Sequence, residues 1–165
     1  MALSAVTLFS VSCSKEGPKR FSGNYTFKTS GTVTVREAGN ESAEQKVVSL
    51  FDESGQMDVI ASGKSEGGML VAMNALGGSV VTFDAEASGK TLTITPFNRQ
   101  LTVPFAESSG VVEVVQPVAT VTVSGYAERY ADALLFWLDY TGSFIYRDVT
   151  YEIVSSNVSC WAKAN

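Results

Sequence analysis

The chain has 165 residues, with 12 Lys plus Arg against 17 Asp plus Glu, two cysteines and no histidine. That length is one domain, and 45% hydrophobic content with 18% charge describes a packed core, not a disordered tail or a coiled coil. A net charge of −5 argues against a nucleic-acid partner, which calls for a basic stripe. The missing histidine excludes Ser-His-Asp and Cys-His nucleophile systems, a histidine general base and any His-containing zinc or haem site.

Residues 1–12, MALSAVTLFSVS, are uncharged and mostly apolar, and they stop at Cys13. A membrane span needs about 20 apolar residues, whereas an export-signal core of about 7–15 fits this run. The small or β-branched residues Ser10, Val11 and Ser12 ahead of Cys13 resemble a bacterial lipobox, which implies acylation of Cys13 as the first mature residue. Ser10 stands where that motif usually carries a large aliphatic residue, and no basic residue precedes the apolar run. Residues 13–22 then read as a polar, breaker-rich flexible tether. The alternative is an ordinary Cys13, or a disulfide between Cys13 and Cys160, which an exported chain permits. If Cys13 is lipidated, Cys160 in Val158-Ser159-Cys160-Trp161 is left to buried packing.

From residue 23 to 165 the period is two. Tyr25 and Phe27, Val33 and Val35, Leu92 and Ile94, and Ala119, Val121 and Val123 each alternate with Thr, Lys, Arg or Ser, the pattern of strands packed on one face. Breaks are expected at Glu53-Ser54-Gly55, Gly67-Gly68, Gly77-Gly78, Ser88-Gly89-Lys90, Ser108-Ser109-Gly110, Ser124-Gly125 and Thr141-Gly142. Pro96, Pro104 and Pro117 belong at strand ends, edges or bulges, because proline donates nothing to a ladder. Tyr126–Leu138 has two readings: an amphipathic helix, or a loop and then a strand with Leu134, Phe136, Leu138 and Tyr140 on one face. The strand fits its neighbours better, and Phe144–Val154 continues as another alternating run.

The Cys13-Ser-Lys-Glu start, the Phe21-Ser-Gly-Asn-Tyr-Thr-Phe run, the glycine-punctuated body and the closing Tyr151–Cys160 stretch together resemble calycin-like β-barrel lipoproteins of Bacteroides-type Gram-negative bacteria. Gly23-Asn24-Tyr25 stands where a lipocalin would carry Gly-x-Trp. The resemblance implies an all-β, up-and-down antiparallel meander barrel of about eight or more strands, lipid-anchored to the outer membrane, periplasmic or surface-exposed, with no established chemistry. A β-sandwich of fimbrial or adhesin type is the second fold.

Chemistry is sparse. Asp84 and Glu86, two apart on one strand, share a face and could serve as an acid/base or metal pair, but a solvated outer face has the same spacing. No calcium-loop spacing occurs, and Gly63-Lys64-Ser65 lacks the glycine a phosphate loop needs at Asp58, so it reads as a hairpin turn. The sequons at Asn24, Asn40 and Asn157 carry no weight in a bacterial chain. Met57, Met69 and Met73 fall on two consecutive strands, and Phe136, Trp137, Tyr140, Phe144, Tyr146, Tyr151 and Trp161 crowd the C-terminal quarter. Soft and aromatic side chains suit an apolar ligand pocket, for which Met57, Met69, Met73, Phe136 and Tyr140 are the candidate lining. The stronger alternative is that the same residues form a core filled by its own side chains. The expectation is a non-catalytic, lipid-anchored binding module for a hydrophobic small molecule or a partner. Neither cofactor nor metal is called for. The alternative is a structural or protein-interaction envelope lipoprotein, and an enzyme fits least.

Overall fold

A computed structural model describes residues 17–78, 80–105 and 115–165. A short 3-10 turn, Pro18–Arg20, precedes ten strands: β1 (Gly23–Glu37), β2 (Lys46–Ser49), β3 (Glu53–Ala61), β4 (Gly68–Ala75), β5 (Val80–Ser88), β6 (Thr91–Ile94), β7 (Phe97–Thr102), β8 (Val118–Tyr130), β9 (Ala133–Tyr146) and β10 (Val149–Ala164). The order β10-β9-β8-β6-β5-β4-β3-β1, closed by antiparallel pairing of β10 with β1, makes an eight-stranded up-and-down barrel. Where the ring closes, it removes the free edges that a sandwich would keep. Alternation is the cause: in β1 Tyr25, Phe27, Val33 and Val35 are buried, while Thr26 and Lys28 between them are exposed.

The barrel is closed only through its lower half. There β3 and β6 complete the ring, with β3 opposite Gly23–Thr29 of β1 and β6 opposite Tyr126–Glu128 of β8. Above, β2 replaces β3 beside β1, and β7 replaces β6 beside β8. Among the described residues, neither β2 nor β7 has a strand on its other side. Pro96 lies at the β6–β7 break, and Pro104 and Pro117 flank β7 and β8, all where a missing N–H costs no ladder bond.

The lower end is sealed by the start of the described chain. Phe21 is fully buried, Arg20 Nη1 donates to the Gly89 carbonyl at 3.1 Å, and Arg129 donates to the carbonyl of Arg20. The expected flexible tether over 13–22 is therefore packed from Gly17 onward. Cys13 and the apolar leader lie outside the described residues, as does Ser108-Ser109-Gly110.

Three glycine breaks are not turns. Gly55, Gly125 and Gly142 sit inside β3, β8 and β9. At Gly125 φ is +135°, and an added Cβ would meet the Trp137 carbonyl on β9, so the glycine lets two backbones close at a bend of the barrel wall. Conversely, residues 126–130, expected as loop or helix, continue β8 to a tight turn at Ala131-Asp132. The expected run Phe144–Val154 is cut by a hairpin turn at Arg147-Asp148, where φ is +47° and +64°. Hairpins with two left-handed residues usually announce themselves with Asn-Gly; Arg-Asp gives no such signal. The anticipated face of β9 holds: Leu134, Phe136, Leu138 and Tyr140 are buried.

Candidate functional site

The five residues expected to line a pocket all point into the barrel. Met57 and Met73 are direct cross-strand partners on β3 and β4, and with Phe136, Tyr140, Thr29 and Cys160 they surround a void of only about 10 Å³. Met69 is fully buried nearer the sealed end, opposite Ala61 and Ala85. A void of that size holds a water at most, so this part of the interior is filled by its own side chains. Phe83 and Phe97, stacked at 4.6 Å, complete the packing between β5 and β7.

The open space lies higher, where β3, β4 and β5 stop below the unpaired sides of β2 and β7. A cleft of about 270 Å³ is walled by Phe27, Phe51, Met73, Val81 and Leu101. Of the five predicted residues only Met73 reaches it. Phe51, Leu76 and Val80 are exposed around this end. Across the cleft floor, Arg99 of β7 binds Glu53 of β3 through Nη2–Oε1 at 2.6 Å and Nη1–Oε2 at 3.1 Å. Burial works against the Arg99 charge, but the hydrogen bond and charge of Glu53 outweigh it and raise its pKa. Its Nε is buried, with no hydrogen-bond partner among the described residues.

Beneath this pair, desolvation pushes the Tyr140 phenol up to about 12, with the Arg99 charge pulling the other way. The buried Cys160 thiol, beside Thr29 on β1, is likewise pushed up to about 12 by desolvation. A thiol held protonated in an apolar interior is packing, since the thiolate is the reactive form.

No protein-family model matches this chain, and no curated protein matches it either. The assignment of a site therefore stands on geometry alone.

Asp84 and Glu86 do not act on each other. Asp84 takes Lys64 Nζ at 2.7 and 2.9 Å, and Glu86 accepts from Ser65 Oγ at 2.8 Å, so both carboxylates pin the β3–β4 turn onto β5. This turn is the role expected for Gly63-Lys64-Ser65. Among the described residues no cluster of His, Cys, Asp or Glu could hold a metal. Sequence reasoning missed Arg99 as a site residue, although its signal was present. Phe97, Arg99 and Leu101 share one phase of β7, which puts a guanidinium on the apolar side of a strand. Glu53, read as part of a turn, is likewise in phase with the buried Met57 and Val59 of β3.

Proposed function

We propose that the chain is a non-catalytic binding barrel of the cell envelope, anchored by lipid at Cys13, which seats a small amphiphilic molecule in the upper cleft. The observation that carries this is the cleft itself: about 270 Å³, walled by Phe27, Phe51, Met73, Val81 and Leu101 together with the polar Gln100 and Thr102, and floored by the Arg99–Glu53 pair. Apolar enclosure with a few fixed polar groups is the usual form of a small-molecule site. An acyl or flat apolar body fits the walls, and a head that accepts hydrogen bonds fits Arg99. The chain leading back to Cys13 leaves from the opposite end, so an anchored barrel would hold the cleft away from the membrane.

Native mass spectrometry of protein purified from its own host tests the reading, followed by titration with fatty acids and a hydrophobic dye. Binding should be lost in Val81→Trp, which fills the cleft, while the unfolding temperature stays near that of the parent. A clean apo mass with no dye or fatty-acid binding would sink it. Anchoring is tested separately with a palmitate analogue: incorporation that survives Cys13→Ala refutes attachment there. The second reading, an interaction protein with a filled core, is favoured by the small interior void and by exposed aromatic rings on the outer wall.

A further inference from the structure

Those rings form one patch. On the outer face of β8, β9 and β10, near the sealed end, Tyr126, Tyr130 and Trp161 are 42%, 46% and 47% exposed. Trp137 lies between them, stacked on Tyr126 at 4.9 Å and edge-on to Tyr130 at 6.4 Å. Leu135, the cross-strand partner of both Trp161 on β10 and Glu128 on β8, lies two residues from Trp137 in the same phase of β9. Scattered exposed apolar residues are ordinary, but contiguous ones mark a contact surface. Both tryptophans of the chain are in this patch.

We propose that this patch seats the barrel in the interfacial layer of a phospholipid bilayer. Two features favour that occupant. The residue types are amphipathic: Trp and Tyr bury an apolar body while keeping a polar edge wet, and they concentrate at the headgroup level of membranes. Tyr130 shows this arrangement, its hydroxyl bound to Glu128 at 2.9 Å beside its exposed ring. The second feature is position, and here the inference rests on the proposed anchor at Cys13. β1 starts at the sealed end, and Tyr130, Ala133, Lys163 and Thr26 lie in one cross-strand row there. Three residues separate Cys13 from Gly17, where the described chain starts, so four steps of about 3.3–3.6 Å each mean that a lipid at Cys13 keeps this end within about 14 Å of the bilayer. Exposed Lys19, Lys64, Lys90 and Lys163 at the same end are offset by exposed Asp58, Glu66, Glu86 and Asp132, with Glu128 beside Tyr130 in the patch itself, so the rings, not net charge, dominate the contact.

The tryptophans report directly on the patch. The full chain, acylated and as Cys13→Ala, is mixed with vesicles of phosphatidylethanolamine and phosphatidylglycerol carrying brominated acyl chains. The expected result is a blue-shifted, bromine-quenched tryptophan emission in both forms. A Tyr126→Ser/Tyr130→Ser variant, which keeps both reporters, should partition about tenfold more weakly in the unacylated form. Acylated protein that floats with vesicles while its tryptophans stay unquenched overturns the patch and leaves the anchor standing. Palmitate incorporation that survives Cys13→Ala, or is absent from the parent chain, with quenching retained does the reverse. Absence of vesicle binding in both forms, or a concentration-dependent dimer that shields the tryptophans without lipid, also overturns it.

Discussion

Arg99 and Glu53 join two strands that share no backbone hydrogen bonds. Among the described residues β7 pairs only with β8, and β3 only with β1 and β4, so the two-pronged ion pair, beside the Phe83–Phe97 stack, is a side-chain tie between β7 and the shorter strands below it. The side chains are 15% and 28% exposed, which places the pair between a surface bridge and a fully buried one. Removing one partner strands the other charge against Phe27 and Met73, whereas removing both does not.

Glu53→Gln should therefore destabilise the barrel by about 2–3 kcal/mol, less than the 3–5 kcal/mol of a fully buried pair because some solvent reaches it. Arg99→Met alone should cost a similar amount, and the double variant Arg99→Met/Glu53→Met should recover most of the loss. Urea unfolding of the four proteins measures this. Equal and additive losses would show that the two side chains act independently.

The alkaline limb of stability follows from Cys160 and Tyr140. Their ordinary values are 9.0 and 10.0, and desolvation pushes both to about 12 in the fold. Above pH 9.0 the unfolded chain loses protons that the folded one keeps. Their contribution is thus whole below that pH and falls away as pH rises toward 12. Unfolding temperatures across this range should decline with a slope that Cys160→Ala reduces at its lower end. Tyr140→Phe should reduce it at the upper end. A profile unchanged by either substitution would refute the assignment.

Much of the fold was legible because alternation is a direct imprint of a wall with one wet and one dry face. The inward phase of β1, β8 and β9 could be read residue by residue. Turns were legible only where glycine marks them and nothing else does: Gly67-Gly68, Gly77-Gly78 and Ser88-Gly89-Lys90. Gly55, Gly125 and Gly142 look identical in sequence, yet they relieve contact between neighbouring backbones within strands. Arg147-Asp148 turns the chain with neither glycine nor asparagine. The site was less legible because it depends on which strands stop short. No local pattern says that β3 to β5 end below β2 and β7, so the sequence could not separate Met73, which reaches the cleft, from Met57 and Phe136, which surround the small void beneath it. Cys160 was legible as packing.

Gly125 gives a stringent test of the barrel-bend argument. Gly125→Ala adds a Cβ against the Trp137 carbonyl at a left-handed φ and should cost at least about 2 kcal/mol. Gly39, at φ +76° in open space, bears only the backbone penalty, so Gly39→Ala should cost about 1–2 kcal/mol. The two unfolding midpoints decide it. If Gly39→Ala proves the more damaging, close approach at the bend is not what holds glycine at 125.

Ser156 repairs a gap in the ladder between β9 and β10. Regular pairing stops between Ile153 and Val158, and the Ser156 hydroxyl fills in, accepting from the Tyr140 N–H at 2.9 Å and donating to the Leu138 carbonyl at 3.4 Å. The longer bond contributes little; the shorter one satisfies a half-buried amide directly above the packed interior. Ser156→Ala leaves that N–H without a protein partner and should cost about 1–3 kcal/mol. Hydrogen exchange at the Tyr140 amide should accelerate by more than the loss of global stability accounts for, since the defect is local. If the amide accelerates only in step with the loss of global stability, the strand is held there by packing alone and the hydroxyl is dispensable.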